Sequence, residues 1–343
     1  MILKNIKDLS LEKLEEELVN LGEKKFRAKQ IFKWIHTGVR DFDSMTDISV
    51  ELRENLKSKF DLCIYNIIDK QVSKDGSVKY LFELPDKNTI ECVVMKYKYG
   101  NSICVSTQVG CKMGCNFCAS SKVNFIRSLT PGEIVEQVLC ATHDLEQRIS
   151  NVVYMGIGEP FDNYDNVIAS IKLLNHPEGL NIGGRHISVS TCGLVPKILD
   201  FANENIQSTL SISLHAPNDK IRNTMMPISK KYTMEELIDA CKKYIEKTNR
   251  RVTFEYAMVQ NVNDSVECAE ELASRLKGML CHVNLIPVNK IEDGIYTKSD
   301  NESIQKFRDV LNKRGITVTV RRELGSDIKA ACGQLRRDRL KGE

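Results

Sequence analysis

From residue 100 onward, short β-rich runs alternate with amphipathic helical ones, and no other feature of the sequence narrows its fold so far. The runs are SICVSTQ, NVVYMGI, HISVST, STLSISL, RVTFEYAMV and HVNLIPV, with TVTVRR as a seventh; between them lie PGEIVEQVLCATHDLEQ, YTMEELIDACKKYIEK and ESIQKFRDVLNKRG. Strand then helix, repeated about six times, implies parallel strands joined by right-handed crossovers. The expected fold is α/β, a partial (β/α)6-type barrel over residues 101–322. Upstream, LEKLEEELVNLG has apolar spacing near that of a helix and ends at Gly22, and a second helix can run from Phe26 to His36. Residues 1–60 are therefore expected as a small helical domain. VKYLFEL and IECVVMKYKYG, divided by DGS and PDKN turn signals, predict antiparallel strands linking the two parts over 61–100, which leaves 323–343 as a C-terminal segment. A chain of 343 residues suits one barrel with an appendage.

In such a barrel the active site belongs at the C-terminal ends of the strands. Polar or glycine-rich residues directly follow nearly every strand: QVGCKMGCNFC after the first, GEP after the second, Thr191-Cys192-Gly193 after the third, HAPND after the fourth and Asn289 after the sixth. These are expected to converge on one mouth.

The stretch CKMGCNFC puts Cys111, Cys115 and Cys118 on one short loop there. The N-terminus, MILKNIKDLSLEKLEEEL, is charged by its fourth residue and reads as neither signal nor transit peptide, and no apolar run approaches membrane-spanning length. A cytoplasmic protein without a membrane role is expected, in which 12 cysteines stay reduced and a disulfide framework is not. A structural zinc ion wants four ligands, and no nearby CxxC or HxxxH pair supplies the fourth. An iron–sulfur cube also has four corners, and three filled corners leave one iron open for reaction. Cys63, Cys140, Cys241, Cys268 and Cys281, scattered through strand and helix patterns, read instead as small packed hydrophobes.

The CxxxCxxC motif resembles the signature of the radical S-adenosylmethionine superfamily, whose open iron binds the amino and carboxylate groups of the nucleotide, and Phe117 fits the aromatic usual before the last cysteine. ECVVM at 91–95, CVSTQVGCKMGCNFC at 104–118, GIGEP, SLHAPND at 213–219, NLIPVN at 284–289 and DIKAACGQL at 327–335 together resemble, in order and approximate spacing, the RlmN family of RNA methyltransferases and more distantly its relative Cfr. The resemblance spans nearly the whole chain. It implies a [4Fe-4S] cluster, one per chain, held by Cys111, Cys115 and Cys118, and S-adenosylmethionine bound by Gly158, Glu159, Ser190, Ser213, Leu214, His215 and Asn289. For Glu159 the residue itself suggests an acceptor for an ammonium or ribose hydroxyl.

The family resemblance also implies a reaction. Carbon 2 of adenine is electron-poor and cannot attack a sulfonium methyl as an ordinary nucleophile. In the family a cysteine near the C-terminus, matched by Cys332, is methylated first, and a carbon radical derived from that methyl adds to the adenine ring. Cys104 matches the resolving thiol, which releases the product by a transient disulfide with Cys332, and Glu91 matches the proposed proton acceptor. The expected product is 2-methyladenosine in 23S ribosomal RNA and in transfer RNA, with a low-potential electron donor such as flavodoxin or ferredoxin as a further partner; a monomer is expected.

Two alternatives stand beside this. Cfr-like methylation at carbon 8 is one, although QVGC before the first ligand and SLHAPND look like RlmN. A cluster-bearing RNA-binding or redox-sensing protein without methyl transfer is the other, and it leaves Cys104 and Cys332 without a task. Asn124 stands where the family has a glycine, and GIGEP replaces the commoner GMGEP. Net charge of +3, from 49 basic and 46 acidic residues, does not by itself argue for nucleic acid. Two local runs do more: KKFRAKQIFKW at 24–34 and RRDRLK at 336–341 read either as a solvated helix face and a tail or as RNA contacts.

Overall fold

A computed structural model describes residues 3–122, 124–288 and 295–328. Ten strands form one sheet: β1 (Asn66–Val72), β2 (Val78–Glu83), β3 (Thr89–Tyr97), β4 (Gly100–Cys104), β5 (Ile149–Tyr154), β6 (Ile187–Thr191), β7 (Thr209–Ser213), β8 (Val252–Met258), β9 (Cys281–Pro287) and β10 (Thr317–Val320). Their order across the sheet follows the chain without exception. β1 to β4 pair antiparallel, and from β4 to β10 every pairing is parallel. The linking strands expected over 61–100 are thus present, and they are hydrogen-bonded into the barrel sheet itself. With β1 and β10 at its edges the sheet stays open, a partial barrel.

Helices α4 (Pro131–Leu145), α5 (Tyr164–Asn175), α6 (Val195–Phe201), α7 (Asp219–Met225), α8 (Met234–Thr248), α9 (Val266–Leu276) and α10 (Asn301–Lys313) form the crossovers. Their starts are written in the sequence. Thr130 and Thr233 make capping boxes with Glu133 and Glu236, satisfying N–H groups that a helix start leaves unpaired. Leu210, Ile212, Val252, Phe254, Val283 and Leu285 bury one face of the parallel strands in the same core as Leu237, Leu272 and Phe307 of the helices. Successive strand residues point to opposite faces. The other face is polar: Ser213, Glu255, Asn284 and Thr319 lie in register across β7 to β10, and Asn284 bonds both Glu255 (2.8 Å) and Thr319 (3.1 Å).

The N-terminal part holds α1 (Leu11–Asn20), α2 (Phe26–His36) and α3 (Val50–Lys59). Lys4–Asn5 pairs parallel with Phe60–Asp61 and closes it. A buried ion cluster joins it to the barrel: Glu136 of α4 takes Lys7 on one oxygen and Arg40, at 3.1 Å, on the other. Asp8 accepts from the Gly132 N–H at 2.8 Å.

Candidate active site

Beyond β4 the chain passes Gln108-Val109, which pairs with Arg127-Ser128, and turns at Gly110 into the cysteine loop. Gly110 has φ +82°, and a Cβ there would lie 2.1 Å from the carbonyl oxygen of Asn124, so only glycine lets the returning chain close on it. Asn124 is itself exposed, so its departure from the family pattern leaves the loop's packing intact. The loop is tied to the end of α7, where the Asn116 N–H donates to Met225 (2.9 Å) and its Nδ2 to Thr224 (2.6 Å). Ser121 Oγ lies 2.7 Å from the carbonyl oxygens of Cys115 and Cys118.

Burial pushes the Cys111 thiol up to about 11 against an opposing Met113 N–H, and the charge of Cys118 adds to the rise. Cys115 is pushed higher, by burial first and then by Cys118 and Cys111. The thiolates of Cys111 and Cys115 therefore oppose their neighbours, and a cationic group among them is what would let them ionise together. Among the described residues no three His, Cys, Asp or Glu side chains close on one point, as ligands of a single ion would. A cube gives each thiolate its own iron, so the sulfurs need only surround it. The loop's residues fit a [4Fe-4S] cluster.

Residues after the next strands line the same mouth. Gly158 has φ +107°, and a Cβ there would come within 2.6 Å of Gln108. Glu159 braces two loops against each other: Oε1 accepts from the Phe161 N–H (2.9 Å) and Oε2 from the Cys192 N–H (2.8 Å). Ser190 and Ser213 hydroxyls stand 3.5 Å apart at the ends of β6 and β7. Leu214 is a core residue whose N–H goes to Glu255 and whose carbonyl takes Arg222 Nε. His215 is held at φ +57° and packs edge-on to Phe117, 4.7 Å between ring centres. Its Nδ1 accepts from the Ala257 N–H at 2.9 Å, which leaves the proton on Nε2, and burial, then Arg222, lowers the imidazole to about 3. The ring is neutral and offers a donor. Asn289 lies outside the described residues.

Deeper in the barrel, Glu91 on β3 and Cys104 at the end of β4 are both buried. Cys104 is paired across the sheet with Val93, so Glu91, two residues from Val93, faces the same side. Burial raises the Cys104 thiol to about 11, and Arg321 works against that rise. Among the described residues every cysteine is a free thiol. Cys332 lies outside them; the residues up to Ile328 are held as follows. Leu324 packs in one apolar cluster with Val93, Met95 and Cys104. Gly325 N–H donates to Asp75 (2.7 Å), and Asp327 accepts from Ser73 Oγ (2.5 Å) and Lys74 N–H (3.1 Å). Sequence reasoning missed Lys79, whose Nζ lies 3.0 Å from Glu91. A lysine inside VKYLFE, buried along nearly all its length, was the signal. It also missed Arg222, fully buried, which donates to the carbonyls of Cys192 (2.7 Å), Ser213 (3.3 Å) and Leu214 (3.2 Å).

Two family models match the chain: the radical SAM superfamily over residues 105–274 and the ribosomal RNA large subunit methyltransferase N-terminal domain over residues 4–62. Proteins of Clostridium novyi and Caldanaerobacter subterraneus, each named a probable dual-specificity RNA methyltransferase RlmN, are 57% identical over 341 and 339 residues, which is 99% and 98% of this chain and 99% of each relative. The chain belongs to the RlmN family. A crystal structure of a radical SAM methyltransferase from Sphaerobacter thermophilus agrees with it at a TM-score of 0.93 and 43% identity, over 96% of this chain and 98% of that one. Membership of the RlmN family makes this a radical SAM RNA methyltransferase with a [4Fe-4S] cluster and S-adenosylmethionine as its cofactors.

Proposed function

We propose that the chain methylates adenosine at carbon 2 in 23S ribosomal RNA and in transfer RNA, carrying the methyl group on Cys332. The observation that carries this is end-to-end similarity to relatives named dual-specificity RNA methyltransferases, including the helical N-terminal part. Carbon 8 is the poorer reading, since these relatives bear the RlmN name. When bound, the cluster and S-adenosylmethionine supply a 5′-deoxyadenosyl radical that activates the methyl group.

The chain's own residues do the rest. Cys111, Cys115 and Cys118 hold the cluster. Gly158, Glu159, Ser190, Ser213, Leu214, His215 and Asn289 bind the nucleotide, Glu159 and Leu214 also shaping the loops. The Cys332 sulfur carries the methyl group and then the covalent link to RNA. Glu91 accepts the proton that the ring carbon loses. Cys104 bonds to the Cys332 sulfur and frees the methylated RNA, a transient disulfide suited to a reducing cytoplasm. The docking of Leu324 beside Cys104 supports this pairing, because Cys332 is eight residues past Leu324, a reach of at most about 29 Å. A low-potential flavodoxin or ferredoxin serves as reductant, and the working form is a monomer.

Anaerobic turnover of the cluster-loaded protein with methyl-labelled S-adenosylmethionine, followed by mass spectrometry of nucleosides from both RNAs, tests the reading. Label in 2-methyladenosine is expected. Label in 8-methyladenosine, or none from protein that still cleaves the nucleotide, overturns it.

A further inference from the structure

Strands β2 and β3 bury a charged pair in the barrel wall. Lys79 and Glu91 have side chains 0% and 1% exposed, with Nζ 3.0 Å from Oε2. In the register of the two strands Lys79 lies opposite Val93, and Val93 lies opposite Cys104 on β4. Lys79, Val93 and Cys104 thus form one cross-strand row facing the interior, and Glu91 flanks it. Ser106 Oγ fixes the backbone beside the carboxylate by donating to the Glu91 carbonyl at 2.6 Å.

The packing of the strand does not call for a lysine. Its neighbours Val78, Tyr80, Leu81 and Phe82 are all core residues. Removing two charges from water costs several kcal/mol per ion, and well-packed apolar residues commonly hold such a position at least as well. What a buried ammonium supplies that a leucine does not is a reason for the neighbouring carboxyl to stay ionised in a low dielectric. A carboxylate that must accept a proton from carbon requires this.

We propose that Lys79 is the positioning residue for the proton acceptor, holding the Glu91 carboxylate ionised and aimed into the barrel beside Cys104. The inference rests on the role assigned to Glu91 above. In the step it serves, the C–H bond at the ring carbon of the RNA adduct breaks, its electron pair stays in the ring, and the proton ends on a Glu91 oxygen. Lys79 exchanges no atom. Cys104 on β4 and Cys92 on β3 itself also feel the Glu91 charge, and Arg321 faces Cys104. Burial raises both thiols, so neither offers the carboxylate a charge at neutral pH.

Two readouts test this. The first is the carboxylate infrared band of Glu91, isolated by subtracting the spectrum of Glu91→Gln, which needs neither cofactor turnover nor RNA. Wild type is expected to show an ionised carboxylate at neutral pH, Lys79→Met a protonated one, and Lys79→Arg an ionised one. The second is the pH profile of adduct resolution in cluster-loaded protein. Lys79→Met is expected to slow it about tenfold or more at neutral pH and to move its acid limb up by about two units or more, with Lys79→Arg restoring most of the rate. An ionised Glu91 in Lys79→Met, or an unmoved pH profile, overturns the inference. Should Lys79→Met fail to fold, Lys79→Gln carries the same two measurements with the same deciding outcomes. If the infrared result holds while wild type yields no methylated adenosine, the functional reading fails and the electrostatic pairing stands.

Discussion

His36 on α2 and His215 after β7 are buried imidazoles held near 3, the first by burial and then by Lys7 and His176, the second by burial and then by Arg222. Unfolded, each would titrate near 6.5. Between those values the unfolded chain binds more protons than the folded one, so the stability tied to the neutral rings is complete above about pH 6.5 and is lost as pH falls toward 3. Each ring contributes a slope of about 1.4 kcal/mol per pH unit in that window. Glu159 and Glu255, raised by burial, act in the opposite direction, so total stability alone does not isolate the histidines. His36→Phe does, because the carboxyls are common to both proteins. Denaturant unfolding at several values between about pH 6 and pH 4 is expected to show the variant's slope reduced by nearly one proton. An unchanged slope would mean that His36 is already protonated in the folded chain. At this scale much of the site was legible, since the cysteine spacing is local. Lys79 and the inward turn of the Glu159 carboxylate were not, because both depend on partners brought close by strand pairing and loop packing.

The strands and helices of the barrel follow the hydrophobic periods closely, and Thr130 and Thr233 mark helix starts that any reader of caps would place. What periodicity does not carry is pairing between distant segments: VKYLFEL and IECVVMKYKYG read as a linker, and only the register of β3 with β4 shows them to be barrel wall. The C-terminal segment is the sharpest case. Asp327 meets Ser73 and Lys74, and Gly325 meets Asp75, across more than two hundred residues of chain. The N–H groups of Gly325 and Ser77 hold Asp75 down to about 2 against a burial contribution that raises it, so this clasp keeps its charge throughout the neutral and mildly acidic range. Replacing Ser73 and Asp327 together by alanine is expected to leave cluster content unchanged and to lower the methylation rate about ten- to a hundredfold, the cost of a misplaced reacting group. Wild-type turnover by the double variant would show that the clasp is not needed for the reaction.

Across the whole molecule, the helical N-terminal part is rigidly set on the barrel by Lys7, Arg40 and Glu136. Removing one partner of a buried ion cluster leaves a charge uncompensated, so Lys7→Met is expected to destabilise the chain by about 3 kcal/mol, and a loss below about 1 kcal/mol in urea melts would show Arg40 to suffice. That fixed mounting gives direction to the surface of α2. Lys24, Lys25 and Arg27 crowd the start of the helix, where cations oppose its dipole and its first turn holds no acidic residue, so helix stability does not explain them. Phe26 is 57% exposed with the Arg27 guanidinium 5.0 Å over its ring, and the Lys29 pair with Glu178 is too exposed to hold the parts together. An aromatic face among cations suits a nucleic-acid backbone and an unstacked base. Charge reversal at Lys24, Lys25, Arg27 and Lys29 is therefore expected to weaken RNA binding. It should also flatten the dependence of log affinity on log salt by about 0.7 for each phosphate that is no longer neutralised. Ala28, Ile31, Phe32 and Ile35 keep the inner face packed, so the variant should stay folded through the binding measurement, as its thermal melt will show. Unchanged affinity and slope would return this face to plain solvation and shift the search for RNA contacts to the barrel mouth.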